Sequence, residues 1–304
     1  MTEPTVSHAE SARLLKAATY ASVATAGVLI AVKAVAWGLT GSVSVLSSLA
    51  DSLLDIIASA INLFAVVQAL QPADAEHRFG HGKAEPLAGL GQAAFIIGSG
   101  LFVSFQVVDR LLHPQPIGHG MIGVAVMLFS IAMTVILVAF QRYVVRRTQS
   151  VAITADSLHY VTDVLTNGSV IVALVLASSL GWHWVDPLFG AAIAAYIVYS
   201  AWTIARQSLN LLMDRELSDE ARALIFKIAT AHPGVTSAHD LRTRSSGRHT
   251  FIQLHLEMDG SMTLHRAHQI SDEVEASIRK AFPNAEVIIH EDPDNIDERR
   301  ARFS

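Results

Sequence analysis

The sequence predicts a membrane all-α six-helix bundle followed by a small cytoplasmic α+β domain, ferredoxin-like and in the order αββαβ. Three observations carry this fold class. The 304-residue chain is 51% hydrophobic and only 16% charged, whereas a soluble domain is near a quarter charged. The deficit is local: the first two thirds hold recurrent apolar stretches long enough to cross a hydrocarbon core of about 30 Å. After residue 212 the composition becomes that of a soluble domain, with an amphipathic helical pattern and alternating strands. The expected domains are therefore 1–212, membrane-embedded, and 213–304, soluble.

The apolar stretches cover about 14–40, 43–70, 87–112, 118–140, 151–180 and 184–212. The breaks are Gly38 and Gly41, Pro72, Pro114 and Pro116, the Arg146-Arg147 run, and Gly181. Some stretches exceed the hydrocarbon thickness, so tilt or extension beyond the bilayer is expected. Arg13 and Lys16 precede the first span, Arg78 and Lys83 follow the second, Arg142, Arg146 and Arg147 follow the fourth, and Arg206 and Arg215 close the sixth. Lys and Arg accumulate in cytoplasmic loops, so both termini are expected to be cytoplasmic. Met1 to Ala12 lacks the basic start and short apolar core of a cleaved signal peptide. Lys33 falls inside the first span, where snorkelling or pairing would accommodate it.

In the soluble part, Ser218-Asp219-Glu220 is an N-cap followed by acids, and Pro233-Gly234 stops the helix near Ala231. A strand is expected over 235–243, then a turn at Ser245-Ser246-Gly247. Over 251–258, Ile252, Leu254, Leu256 and Met258 alternate with Phe251, Gln253, His255 and Glu257, the period of a half-buried strand. A second helix from Thr263 to before Pro283 and a short strand over 286–290 complete the domain.

The net charge of −5 comes with no basic patch interleaved with aromatics, so nucleic acid is not an expected partner. There is no cysteine. That removes disulfides and thiolate metal sites, and leaves His, Asp and Glu to hold any metal.

The first such set is two pairs in the apolar stretches. Asp51 and Asp55 are four residues apart in the second, and His159 and Asp163 repeat the spacing in the fifth. Positions i and i+4 share one helix face. A charge near the bilayer centre costs roughly 2.5–3.5 kcal/mol on insertion scales, so it persists where it faces a partner, a wet cavity or an ion. Four inward ligands of this kind suit one divalent metal. Asp156, one turn before His159, is expected to cap or to be solvated at the membrane edge. The echo of Ala50-Asp51-Ser52-Leu53 in Ala155-Asp156-Ser157-Leu158 does not superpose the acid pairs.

A second set, Asp74, His77 and His81, lies in one short loop and could hold a metal with water as fourth ligand. A third is scattered through the soluble domain: His239, His255, His268, His290 and Asp292. His255 is on the polar face of its strand, and His290 and Asp292, two apart, share a side. Asp292 bridging two metals would make this site binuclear.

At these residues the chain resembles the cation diffusion facilitator family, in particular its bacterial zinc and ferrous-iron efflux members, over nearly its whole length. The motifs are Asp51-x-x-x-Asp55; Asp74-x-x-His77-Arg78-Phe79-Gly80-His81-Gly82-Lys83-Ala84-Glu85-Pro86; Ala155-Asp156-Ser157-Leu158-His159-x-x-x-Asp163; His239-Asp240-Leu241-Arg242-Thr243-Arg244; and Val287-Ile288-Ile289-His290-Glu291-Asp292-Pro293. The resemblance implies a homodimer of six-helix protomers in a bacterial inner membrane. It assigns Asp51, Asp55, His159 and Asp163 to transport, Asp74, His77 and His81 to a loop site, and the third set to a binuclear site steadying the dimer. It also implies a charge pair of Lys83 with Asp214. Phe79 stands where Tyr is common and Glu291 where Gln is usual, the latter adding negative charge beside the third set.

The function so expected is export of Zn2+, with Fe2+ and Cd2+ also accepted, from the cytoplasm in exchange for protons by alternating access. These ligands bind metal only when deprotonated, so metal and proton compete for them. His159, of the side-chain type titrating nearest neutral pH, is the expected proton carrier. An intramembrane metallohydrolase would want His-Glu-x-x-His, which is absent; His290-Glu291 lacks the second His. A membrane-anchored metal sensor would gain nothing from acids buried in its anchor.

Overall fold

The computed structural model describes residues 7–112, 121–180, 185–247 and 249–295. The expected breaks at Pro114, Pro116 and Gly181, and the starts of the stretches at 118 and 184, lie outside them. The chain divides into two compact units, Met1–Leu209 and Asn210–Ser304.

The first unit contains α1 (His8–Thr40), α2 (Val43–Ala69), α3 (Ala84–Leu112), α4 (Met121–Thr148), α5 (Val151–Leu180) and α6 (Val185–Leu212). Ser7 caps α1, its hydroxyl accepting from the Glu10 N–H, and Gly41 ends the helix at φ +60°, with its N–H on the Trp37 carbonyl. Among the described residues, four helices, α1, α2, α4 and α6, are long and apolar enough to cross a membrane. Six helices stand where six spans were expected.

This unit is polar inside and apolar outside. Ser22, Lys33, Ser52, Ser59, Asn62, Gln141, Asp156 and His159 are buried, whereas Leu54, Ile61, Phe64, Phe105, Ile136 and Trp202 are exposed. A water-soluble domain would bury the second group and expose the charged members of the first; surroundings of lipid reverse the requirement. Interhelical contact then depends on close packing more than on water exclusion. Leu15, Ala18, Val66, Val144, Ala152 and Ile153 join α1, α2, α4 and α5, and Ile96, Ile193, Ile197 and Ala201 join α3 to α6. Gly89 permits the second junction, since a Cβ there would stand 2.7 Å from Ser208 Oγ.

One sequence expectation is corrected: Asp156 is fully buried, not capping or solvated at an edge. Lys33, expected to snorkel or to pair, pairs: its Nζ donates to Ser52 Oγ at 2.7 Å and the Ser48 carbonyl at 3.1 Å, tying α1 to α2. In both cases the partners come from other helices, where sequence spacing carries no signal.

The second unit is α7 (Asp219–Thr230), β1 (Ser237–Ser246), β2 (His249–Met258), α8 (Leu264–Ala281) and β3 (Ala285–Pro293), the expected αββαβ order. The hydroxyls of Ser218 and Thr263 cap the two helices, accepting from the N–H groups of Ala221 and Arg266. The sheet order is β1-β2-β3, with β1 antiparallel and β3 parallel to β2. The parallel pair needs a crossover, which α8 supplies. Ile252, Leu254, Leu256 and Met258 meet Ile225, Ala229, Ile270, Val274 and Ile278, so both helices cover one sheet face. Each such side chain buried from water contributes about 1.5–3 kcal/mol. β1 runs through Ser245 and Ser246, shortening the expected turn, because Ser246 still pairs with His249.

Candidate metal centres

The first centre is built by α2 and α5. The packing of α2 against α5 brings Asp55 and His159 together: His159 Nε2 is 3.0 Å from Asp55 Oδ1 and 3.9 Å from Asp163 Oδ2, its i+4 neighbour. One donor atom from each of the three lies within 4.8 Å of the others. A tetrahedral zinc with ligands at about 2.0–2.2 Å sets neighbouring donors roughly 3.3 Å apart, so the cluster is near that size. The His159 side chain is 5% exposed and the Asp163 side chain 33%, which opens the cluster on the Asp163 side. The Phe95 ring meets the His159 ring edge-on at 5.5 Å and limits its rotation. Asp51, one turn before Asp55, is exposed and lies outside this three-residue cluster.

The second centre lies in the loop between α2 and α3. Asp74 Oδ1 accepts from the backbone N–H groups of Glu76 at 2.9 Å and His77 at 2.6 Å. That folds the loop back on itself, with Gly80 at φ +77° completing the turn. The imidazoles of His77 and His81 then stand 3.4 Å from the two Asp74 oxygens. The His77 backbone N–H chiefly, helped by that of Glu76 and by the His81 and His77 imidazoles, holds the Asp74 carboxyl below its usual range despite the opposing desolvation. His81 Nδ1 is buried with no hydrogen-bond partner among the described residues. An acidic, loop-bound ligand trio is thereby set up in sequence-local fashion.

The third centre lies on the sheet face away from α7 and α8. His239 of β1 is paired with His255 of β2, and His255 with His290 of β3, so three histidines stand in a row across three strands. Neighbouring rings have centroids 5.2 and 4.6 Å apart. Asp292 is 4% exposed; its Oδ2 is 2.8 Å from His255 Nδ1 and 3.3 Å from His239 Nε2, while its Oδ1 is 3.1 Å from His290 Nε2. One carboxylate with a histidine on each oxygen can bridge two ions. A bulge follows His239, where Asp240 adopts φ +45°. His268 sits apart on α8, 68% exposed, 3.9 Å from Glu291 Oε1 and 3.8 Å from Asp272 Oδ2. Glu257, not singled out from the sequence, approaches His239 Nδ1 at 3.2 Å and accepts from Ser237 Oγ. Its position two residues after His255, on the same face of the strand, was the available signal.

The cation efflux transmembrane domain family matches residues 19–213, and the cytoplasmic domain of cation efflux proteins matches 217–294. A cation-efflux pump FieF of Klebsiella pneumoniae is 50% identical over 284 residues, covering 93% of this chain and 94% of that protein. The cation-efflux pump FieF of Escherichia coli (strain K12 / DH10B) is 49% identical over 292 residues, covering 96% and 97%. A solved structure of the zinc form of CzrB is 30% identical, with a TM-score of 0.27, and covers 28% of this chain and 99% of that one. The chain belongs to the cation efflux family: it is a multi-pass membrane transporter of metal cations, with a helical transmembrane domain and a cytoplasmic α+β domain, and not an enzyme.

Proposed function

We propose that this protein exports Zn2+ from the cytoplasm in exchange for protons, with Fe2+ and Cd2+ as alternative cargo. The observation that carries this is the meeting of Asp55, His159 and Asp163 inside a helical bundle whose lipid-facing surface is apolar. Imidazole and carboxylate suit zinc and tolerate neighbouring ions. Asp51 supplies the fourth ligand, rotating in from the adjacent turn when metal arrives. The four groups cycle between a metal-loaded, deprotonated state and a metal-free, protonated one. Access alternates between the two membrane faces.

Exchange is favoured over uniport on energetic grounds. Moving a charge outward against an inside-negative potential costs about 2.3 kcal/mol per 100 mV, and a divalent ion carries two. Each returning proton cancels one charge and brings about 1.4 kcal/mol per unit of pH difference.

In this reading α3 and α5 also span the bilayer, which gives six spans over 1–212. The remainder, 213–304, faces the cytoplasm with both termini, and the membrane is a bacterial inner membrane. The protein acts as a homodimer. His239, His255, His290 and Asp292 hold zinc that steadies the dimer, and Asp74, His77 and His81 hold a further ion.

The test is zinc flux into proteoliposomes under an imposed pH gradient. Flux that follows the gradient and vanishes in Asp163→Ala supports exchange. Flux indifferent to pH, or unchanged in that variant, sinks it.

A further inference from the structure

One buried acid is not used by the centres above. Asp156 of α5 is fully buried, as is Gln141 of α4, and Ser22 of α1 is 1% exposed. Gln141 Nε2 donates to Asp156 Oδ2 at 2.7 Å and to Ser22 Oγ at 2.9 Å, and Ser22 Oγ donates to Asp156 Oδ2 at 2.6 Å. Both amide hydrogens are thereby committed; the Ser22 hydroxyl also has the Ala18 carbonyl within reach at 3.1 Å, and Asp156 receives all its donors on one oxygen. Asp156 Oδ1 and Gln141 Oε1 are both left buried, each without a hydrogen-bond partner among the described residues.

These two orphan atoms are the free ends of a carboxyl and an amide already joined at their other ends. Both are acceptors. A single hydrogen placed on Oδ1 turns that oxygen into a donor, and Gln141 Oε1, at the free end of the amide already bonded to Oδ2, is the acceptor with which it would complete an acid–amide pair. Turning the Gln141 amide over would instead set Oε1 against Asp156 Oδ2 at 2.7 Å, which itself requires a proton between the oxygens. An ionised Asp156 would be a buried charge without a cation partner, the arrangement proteins avoid. The helices packed around it do not supply one: α1 and α4 present the neutral Ser22 and Gln141. The titratable groups that reach it are His159 and Tyr160 of its own helix and Asp55 of α2, and Asp55 is already engaged with His159. The hydroxyl next in line is occupied too, with Tyr160 Oη donating to the Ser22 carbonyl and Ser59 Oγ donating to Tyr160 Oη at 2.8 Å.

We propose that Asp156 and Gln141 form a proton-binding site, holding one resident proton as a neutral acid–amide pair that latches α5 to α4 and α1. The proton is not one of those exchanged for metal, because every polar group around it is sealed from solvent. Asp156 is a positioning residue: it fixes the turn of α5 immediately before His159, and being uncharged it does not compete for the cargo.

The experiment is infrared spectroscopy of the full-length protein in lipid vesicles in D2O at neutral pH. Saturating Zn2+ keeps the carboxylates of the metal centres ionised. The expected result is a protonated-carboxyl C=O band present in the wild type and missing in Asp156→Asn. No difference between the two at that band overturns the proposal. Thermal melting gives an independent check. Asn preserves the pair with the neutral amide in place of the acid, so Asp156→Asn melts within a few degrees of wild type, whereas Asp156→Leu melts well below both. An Asn variant as unstable as the Leu variant, or unable to fold, shows that the charge is what matters and also overturns it. Neither result depends on whether metal flux follows a pH gradient.

Discussion

His159 Nε2 stands 3.0 Å from Asp55 Oδ1, joining the first third of α5 to the middle of α2. No neighbouring sequence supports that contact; it depends wholly on how the two helices pack. It brings a carboxylate and an imidazole together where lipid lies outside and polar side chains lie inside. Replacing Asp55 by Asn keeps the shape and removes the charge. Zinc affinity at this centre should fall by more than roughly 100-fold, the upper end of the loss seen when only an outer supporting residue is removed. Calorimetry on a variant that also lacks His77 and His255 isolates the site; an unchanged affinity there would place the cargo elsewhere.

The loop centre should respond to pH through Asp74. Its carboxyl lies below the usual range because backbone N–H groups bind the ionised form. A depressed folded value means that the stabilisation is fully present above the ordinary carboxylate value of about 3.9, and is lost as pH falls through the lower, folded value. Hydrogen exchange at the Glu76 and His77 amides should therefore stay slow down to pH values below that ordinary range and then quicken. In Asp74→Asn this acid step should vanish.

Zinc should raise the melting temperature of the full-length protein, in part through the histidine row. A ligand at 100 times its Kd stabilises by about 2.7 kcal/mol. His255 occupies the middle of the row and touches Asp292 at 2.8 Å. His255→Ala should remove most of the zinc-dependent increment assigned to the cytoplasmic unit, and should weaken the zinc-loaded dimer in mass photometry. A dimer indifferent to this change would contradict the proposed role of the row.

Gly89→Val should destabilise the helical unit by about 1–3 kcal/mol, the usual cost of overpacking. Its Cβ would meet Ser208 Oγ at 2.7 Å and Val151 Cγ1 at 3.0 Å. Gly91, with open space around it, is the control: the same substitution there should leave the melting curve nearly unmoved.

Features with a period were legible in the sequence. The i, i+4 acid and histidine pairs announced which faces of α2 and α5 meet, and the alternation from Ile252 to Met258 announced the buried side of β2. Ser218 and Thr263 announced helix starts, and both hydroxyls do cap. What was not legible depended on partners far along the chain. Asp156 looked like an edge residue because Ser22, 134 positions away, and Gln141 give no local sign of facing it. Lys33 needed Ser52 on another helix. Asp51 shares its spacing with Asp55, yet the packing leaves it exposed while Asp55 turns inward. His268, by contrast, was grouped by residue type and by the resemblance, with no spacing of its own, and its helix sets it beside Glu291, away from the other histidines.

The histidine row also bears on how the sheet assembles. Each strand contributes one member, and side chains alternate with a period of two. Sliding β3 by a single position against β2 would turn His290 toward the helices and bring a hydrophobic neighbour out in its place. A metal ion captured by the row thus rewards only the properly aligned sheet. It acts as a proofreader of strand alignment, and a chain folded with metal present should contain fewer misaligned sheets than one folded without.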